Sequence, residues 1–225
     1  MARWLLCAAL ASVLALAAAP VGGATIEGPC TASIAGVPVA NRGTSARSDA
    51  IKVSEGTRVR VTMAASKPID RLKVELEFAG LRWTVHDEPT TGTTWTKTVD
   101  TDDYATYGVG LYKVIGSSSG SGLECSGAAL VEVDGSPLST VAGIVGLALA
   151  VVGALGLALL ALRGPGSAGR RALGALLGLF LGAGLGVLLQ EFGLVYPTQT
   201  MAIVLLAGGA VLGAALQGLN RVARA

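Results

Sequence analysis

Three apolar segments in the second half of the chain constrain its fold more than any other feature. Each is long enough to cross about 30 Å of hydrocarbon as a helix, and none has an ionisable residue near its centre. The sequence therefore predicts an α-helical membrane domain of three transmembrane helices. Its segments are the helices 138–162, 172–190 and 200–219, a basic loop 163–171, an extracytoplasmic loop 191–199 and a tail 220–225.

A few polar side chains occur near the ends of these predicted helices. Gln190 and Glu191 are expected at the outer interface and Gln217 near the inner end. Because proton relays and ion-coupled transporters usually need a charge inside the membrane, the uncharged centres disfavour active transport.

Arginines outside the apolar segments predict the orientation of the helices. Arg163, Arg170 and Arg171 follow the first segment, and Arg221 and Arg224 follow the third. The loop between the second and third segments has no basic residue. Since cytoplasmic loops carry an excess of lysine and arginine, we expect these arginines in the cytoplasm and the polar N-terminal region outside. The expected location is the plasma membrane, with several passes.

Four glycines on the second helix form a candidate packing face: Gly174, Gly178, Gly182 and Gly186. Residues four apart share one side of a helix, and glycine lets helix backbones approach closely in lipid. Two interpretations remain open. The face packs the three helices of one chain together, or it mediates self-association or docking to another membrane or envelope protein. The lipid bilayer is a predicted partner in either case.

Charge is concentrated in the polar region that precedes the helices. Of the 17 basic and 15 acidic residues of the chain, most lie between Glu27 and Asp134, where acidic residues slightly outnumber basic ones. No basic cluster accompanies stacking aromatic side chains, so we expect no binding to nucleic acid.

Residues 1–24 fit a secretory signal peptide. Arg3 precedes an apolar run, and Gly22 and Ala24 fit the small-x-small pattern of a cleavage site. We predict cleavage after Ala24, and an uncleaved anchor helix is the alternative.

Residues 25–137 show the two-residue alternation of half-buried strands, most clearly over 71–78, where charged and apolar side chains alternate. Strands are predicted at 30–34, 50–53, 58–63, 71–78, 81–85, 94–99, 110–116 and 126–133. Short strands at this spacing predict one all-β extracytoplasmic sandwich. The serine- and glycine-rich segment 117–122 is expected to form a loop, either for recognition or as a slack connection.

Two short motifs in the polar region resemble those of bacterial immunoglobulin-like sandwiches. Residues 103–107, Asp-Tyr-Ala-Thr-Tyr, resemble the D-x-A-x-Y tyrosine corner, and residues 110–114, Gly-Leu-Tyr-Lys-Val, resemble the G-x-Y-x-V of polycystic-kidney-disease-type domains. Only one of these tyrosines can occupy the corner. The chain departs from the antibody pattern at Val109, where that family has its second core cysteine. The resemblance implies an Ig-like sandwich with Trp83 in its core on a central strand.

Cys30 and Cys125 are the two cysteines of the polar region, and export predicts a disulfide between them, with two unpaired thiols as the alternative. In immunoglobulin-like sandwiches the first strand often runs parallel to the last. The resemblance therefore implies that the two cysteines meet where these strands begin. The bond would close a loop of roughly 95 residues, worth on the order of 4 kcal/mol.

Side chains for catalysis or metal binding are sparse. His86 is the only histidine and is expected to be solvated on the polar phase of its strand. Asp100, Asp102 and Asp103 are expected to cap turns rather than bind calcium. No nucleophile, zinc or phosphate-binding motif occurs. The expectation is no metal, no cofactor and no enzymatic activity.

The sequence thus favours a membrane-anchored cell-surface protein that uses an exported β-sandwich for protein interaction or envelope structure. The alternative is a channel, or an accessory subunit of a membrane transport complex assembled through its glycine-rich helices.

Overall fold

In a computed structural model of the chain, the structure describes residues 29–39, 47–120, 122–163, 167–195 and 198–222. The predicted signal peptide, 1–24, lies outside these residues. The described residues belong to two compact units. The first unit contains the described residues up to Val141, which include all the strands, together with residues 190–198. The second unit contains residues 142–189 and the helix that begins at Gln199.

Among the described residues of the first unit, nine strands form two sheets. The five-stranded sheet has the order β3-β9-β8-β5-β6, and the four-stranded sheet has the order β2-β1-β4-β7. The strands are β1 (Cys30–Ile34), β2 (Val37–Pro38), β3 (Ile51–Ser54), β4 (Arg58–Ala65), β5 (Arg71–Phe78), β6 (Leu81–Pro89), β7 (Thr94–Asp100), β8 (Gly110–Gly120) and β9 (Leu123–Asp134). The predicted β-sandwich followed by three long apolar helices is confirmed.

Alternation along the strands places the core between the sheets. On β5, Leu72 is 1% exposed, whereas its neighbour Arg71 is exposed and forms an ion pair with Asp87. Phe78, on the same phase as Leu72, stacks on Tyr112 of β8 with ring centroids 4.6 Å apart. The two-residue period of the sequence therefore decides which side chains are buried.

The pairing of the first strand differs from the expectation. β1 pairs antiparallel with β2 and β4 in the four-stranded sheet. The strand parallel to β9 is β3, with Ile51 opposite Val131. The expectation that the first strand runs beside the last is therefore wrong.

Strand ends also differ from the sequence prediction. β8 continues through Gly120 and β9 begins at Leu123, so the serine-rich segment is mostly strand and the predicted long loop is wrong. Serine and threonine tolerate a pleated surface, and here Ser117 pairs with Ser126 across the hairpin. A short helix, α1 (Asp102–Ala105), was not predicted.

Trp83 lies on β6, the edge strand of the five-stranded sheet, and is 36% exposed. The expectation of a core position on a central strand is therefore wrong. An edge strand has a neighbour on one side only, so its outer residues retain contact with solvent.

Three helices of the described residues follow the strands in the chain: α2 (Val141–Leu162), α3 (Ala168–Glu191) and α4 (Gln199–Val222). The second unit contains them except for Val141, Gln190 and Glu191, which belong to the first. Each helix has a segment long and apolar enough to cross a membrane. Large apolar side chains on them, such as Ile144, Leu155 and Ile203, are more than half exposed. The chain is therefore a membrane protein, because such surfaces need lipid around them.

Buried residues on α2 recur at steps of three and four, in the order Gly143, Gly146, Ala150, Gly153, Leu157 and Leu160. An alternation of three and four residues is the repeat of left-handed helix packing. Small residues also occur at every fourth position of α2, at Ala142, Gly146, Ala150, Ala154 and Ala158. Gly146 and Ala150 are buried, whereas Ala154 and Ala158 are exposed, because a four-residue step drifts around a helix of 3.6 residues per turn.

Candidate functional site

The Cys30–Cys125 disulfide joins the two sheets. Its Cα atoms are 6.1 Å apart, and both cysteines are buried beside Leu123 and Met63. Cys30 is on β1 and Cys125 is on β9, so the bond connects strands that face each other rather than strands that run side by side. The predicted pairing of the cysteines is confirmed, although the parallel-strand geometry expected for it is not.

Gln190 and Glu191, which we name the buried pair, end α3 and belong to the same compact unit as the strands. They are 2% and 3% exposed. The Gln190 side chain accepts from the Ala79 N–H at 2.7 Å, and its amide nitrogen donates to the Leu111 carbonyl at 2.9 Å. The side chains of the buried pair therefore complete backbone hydrogen bonds of the sandwich, a role that the sequence did not predict.

The Glu191 carboxylate makes the second set of contacts. It accepts from the Val109 N–H at 3.0 Å and from the Thr140 hydroxyl at 3.2 Å. Glycines make room for it, since a Cβ on Gly108 would lie 2.7 Å from Glu191 Oε1. Gly110, at φ +90°, passes directly against the Gln190 and Glu191 carbonyl oxygens. A side chain at either glycine would displace the buried pair.

Tyr112 lies beside this region on β8. Its hydroxyl donates to the Gly108 carbonyl at 2.7 Å. Burial, and secondly the nearby Glu191 charge, raises the pKa of Tyr112, so the phenol remains a hydrogen-bond donor at all physiological pH values. Tyr107, the tyrosine of the other motif, is 66% exposed.

An apolar cavity of about 120 Å³ lies between the two sheets. Val61 and Trp95 line it from the four-stranded sheet, and Leu76, Val114 and Val131 line it from the five-stranded sheet. A second cavity of about 70 Å³ shares part of this lining and extends to Cys30 and Cys125. Cavities lined by aliphatic side chains between sheets are candidate sites for apolar ligands.

His86 and Lys97, which we name the mouth pair, line the larger cavity from the edge strands β6 and β7. The Lys97 ammonium donates to His86 Nδ1 at 3.3 Å, and the His86 ring lies 5.1 Å from that of Trp95. His86 is 8% exposed, whereas Lys97 is exposed and marks the side on which the cavity meets solvent. Glu88 Oε1 is 3.8 Å from His86 Nδ1.

A β-bulge places His86 inside. Leu76 pairs with Trp83, but the register shifts at Val74, which pairs with His86 instead of Val85. One extra residue on β6 reverses the phase of the residues after it. The expectation that His86 is solvated on the polar phase is therefore wrong, and no sequence pattern marks the extra residue.

An ion pair lies on the outer side of the same strands. Arg71 donates to both carboxylate oxygens of Asp87, at 2.7 and 2.9 Å. Hydrogen bonding to Arg71 holds the pKa of Asp87 below its ordinary value. Asp87 therefore stays ionised and faces away from the mouth pair.

The four predicted packing glycines all face α4. Cβ atoms on Gly174, Gly178 and Gly182 would meet the backbone carbonyls of Gly213, Gly209 and Leu205, respectively, and a Cβ on Gly186 would lie 3.1 Å from the Leu205 side chain. Gly209 and Gly213 are the matching residues of α4 and were not predicted, although they too are four residues apart in the sequence.

Groups of three or more histidine, cysteine, aspartate or glutamate side chains that could hold a metal ion are absent from the described residues. Asp102 and Asp103 are in the first turn of α1, and the Asp102 N–H bonds to Asp100 Oδ1 at 3.2 Å, as expected for a turn.

Comparisons with known proteins extend only to the fold. No protein-family model matches the chain, and no curated protein matches it. Among solved structures, a lytic polysaccharide monooxygenase from Kitasatospora papulosa is similar with 10% identity and a TM-score of 0.31, over 39% of this chain and 52% of that one. A lytic polysaccharide monooxygenase from Jonesia denitrificans is similar with 12% identity and a TM-score of 0.26, over 40% and 63%. A β-glucosidase from Listeria innocua is similar with 14% identity and a TM-score of 0.28, over 48% and 16%.

The chain therefore spans between half and two thirds of the monooxygenase structures that it matches. These similar proteins are enzymes, and the expectation that the chain has no enzymatic activity is corrected accordingly and withdrawn. With TM-scores near 0.3, these similarities assign no activity, substrate or cofactor to this chain.

Proposed function

We propose that this protein is a membrane-anchored cell-surface module that presents an exported β-sandwich for interaction with a protein of the membrane or envelope. The observation that carries the proposal is the buried pair. Gln190 and Glu191 lie at the end of α3, and their side chains bond to Ala79, Leu111 and Val109 of the sandwich.

These contacts bear on topology because two parts of one compact unit lie on the same side of a membrane. The sandwich precedes the first span and the loop 190–198 follows the second, so an even number of crossings separates them. Two full crossings by α2 and α3 satisfy this requirement. The contacts thus support a multi-pass arrangement.

The arginines support the direction of that arrangement. Arg163, Arg170 and Arg171 lie between α2 and α3, one crossing away from the sandwich. With this loop in the cytoplasm, the sandwich and the loop 190–198 are outside. The secretory signal predicted in residues 1–24 supports the same direction.

The immunoglobulin-like relationship is part of the proposal. The parallel β3–β9 pair supports it, as does the hydrogen bond from the Tyr112 hydroxyl to the backbone four residues upstream. This bond has the form of a tyrosine corner. Tyr112, of the 110–114 motif, would therefore have the corner role.

Cysteine labelling in intact cells tests the topology. Thr91, in the exposed turn between β6 and β7, and Ser167, beside the basic loop, are each replaced by cysteine. A membrane-impermeant maleimide is expected to label T91C in intact cells and S167C only after permeabilisation. Labelling of S167C alone in intact cells would overturn the proposed orientation.

Proximity labelling from position 91 then tests the interaction. The expected result is enrichment of one envelope or membrane protein, compared with the same label placed at position 167. Ion conductance by the protein in liposomes, together with no enriched partner, would instead favour the channel alternative.

A further inference from the structure

We propose that the cavity between the sheets binds a small amphiphile with an anionic head, of the class of medium-chain carboxylates. The acyl chain would lie between the sheets, and the carboxylate would contact the mouth pair, His86 and Lys97. This small-molecule site goes beyond the protein interaction proposed above and does not depend on it.

The cavity has the size and lining for a short acyl chain. Its volume of about 120 Å³ is near that of apolar protein cavities, about 150 Å³, that stay dry and take up benzene. The 70 Å³ cavity shares Val61, Val74 and Trp95 with it, and so prolongs the apolar lining toward the disulfide. A short acyl chain is therefore a fitting occupant, and each methylene group that it buries adds affinity.

The mouth pair specifies the head group. Lys97 occupies the inward phase of β7, opposite Val61 and between the inward residues Trp95 and Val99. A lysine on the inward phase next to an apolar cavity can bury its stem there while its ammonium reaches solvent. A carboxylate above the cavity would accept hydrogen bonds from this ammonium and from the imidazole of His86.

Glu88 is an acidic group beside the mouth pair. Its carboxylate is 3.8 Å from His86 Nδ1 and 69% exposed, so its negative charge opposes an incoming anion at this position. Asp87 points to the other side of the sheet, where Arg71 holds it. The charge at the mouth is therefore set by Lys97, His86 and Glu88.

Binding of octanoate to the full-length protein in lipid nanodiscs tests the proposal by calorimetry, with empty nanodiscs as the blank. Lys97→Gln is expected to weaken octanoate binding about tenfold or more, since a charged hydrogen bond is lost. Lys52→Gln, at an exposed lysine on β3 that lines neither cavity, is the matched control and is expected to change affinity less than about twofold. Glu88→Gln is expected to strengthen binding.

Ligand variants separate the head from the chain. Octanol, which has no charge, is expected to bind equally to the wild type and to Lys97→Gln, and acetate, which has no chain, is expected not to bind. Quenching of Trp95 fluorescence by 8-bromooctanoate, lost in Trp95→Phe, locates the chain between the sheets.

Absence of saturable octanoate binding to the wild type would overturn the proposal, as would equal affinities of Lys97→Gln and Lys52→Gln. Either result leaves the partner captured at position 91 unchanged, so the two proposals fail separately.

Discussion

Replacing Gln190 with leucine removes the side chain that connects the end of α3 to the turn between β5 and β6 and to strand β8. The leucine has a similar volume but can neither accept from the Ala79 N–H nor donate to the Leu111 carbonyl. Leu111 is 1% exposed, so its carbonyl would be left without any partner, whereas half-buried Ala79 regains some contact with water. The unsatisfied Leu111 carbonyl costs about 1–3 kcal/mol, and the lost hydrogen bond of the Ala79 amide adds about 1 kcal/mol. The expected loss of unfolding free energy is therefore about 2–4 kcal/mol.

Gln217 offers the same substitution with the opposite expectation. It is fully buried in α4, and neither atom of its amide has a hydrogen-bond partner among the described residues. Because burying an unpaired amide is unfavourable, Gln217→Leu should be neutral or stabilising. The contrast between the two variants separates loss of specific hydrogen bonds from a general effect of leucine near the membrane.

Hydrogen exchange and reversible unfolding of the full-length protein in nanodiscs measure both effects. In Gln190→Leu the Ala79 amide should exchange at least about tenfold faster, since about 1.4 kcal/mol corresponds to a factor of ten. In Gln217→Leu it should exchange as in the wild type. Equal stability losses in the two variants, or unchanged exchange at Ala79 in Gln190→Leu, would refute the assigned role of the buried pair.

Three further predictions concern the disulfide, a helix interface and an ion pair. Replacing Cys30 and Cys125 with alanine should lower the free energy of unfolding by about 4.7 kcal/mol in the chain-entropy model, measured by denaturant titration; a loss below about 1 kcal/mol would contradict it. Gly178→Ala should destabilise the helices by about 1–3 kcal/mol because its Cβ meets the backbone of α4, whereas Gly169→Ala, with nothing closer than 4.0 Å, should be neutral or slightly stabilising; thermal melts compare the two. NMR titration should find the pKa of Asp87 below its ordinary value, and Arg71→Gln should return this pKa toward the ordinary value. The Asp87–Arg71 pair should contribute its full stabilisation at pH values above the ordinary pKa of Asp87, and this stabilisation should be lost as the pH falls through the lowered pKa.

Strand positions were predictable because one face of each sheet is polar. The predicted strands 30–34 and 71–78 match β1 and β5 at both ends. In these segments charge or hydroxyl groups alternate with apolar groups, and this pattern depends only on local sequence. The pairing of strands depends on contacts between distant residues, so the sequence could not decide that β3, not β1, lies beside β9.

The candidate sites were less predictable, for two physical reasons. One extra residue in β6 reverses the phase of His86, and a bulge has no reliable local signal. Gln190 and Glu191 lie 79 and 82 residues from the groups that they satisfy at Leu111 and Val109. The glycine face was predictable because close helix packing in lipid requires small residues at a fixed spacing.

The position of the buried pair in the chain also has a consequence for biosynthesis. The ribosome completes β9 at Asp134, 56 residues before it reaches Gln190, a delay of about 3–11 s at ordinary elongation rates. During that interval the Leu111 carbonyl and the Val109 amide lack their final partners. The sandwich can therefore mature only after α3 has been synthesised, and a nascent chain that stalls between α2 and α3 would expose an incomplete sheet to chaperones and proteases.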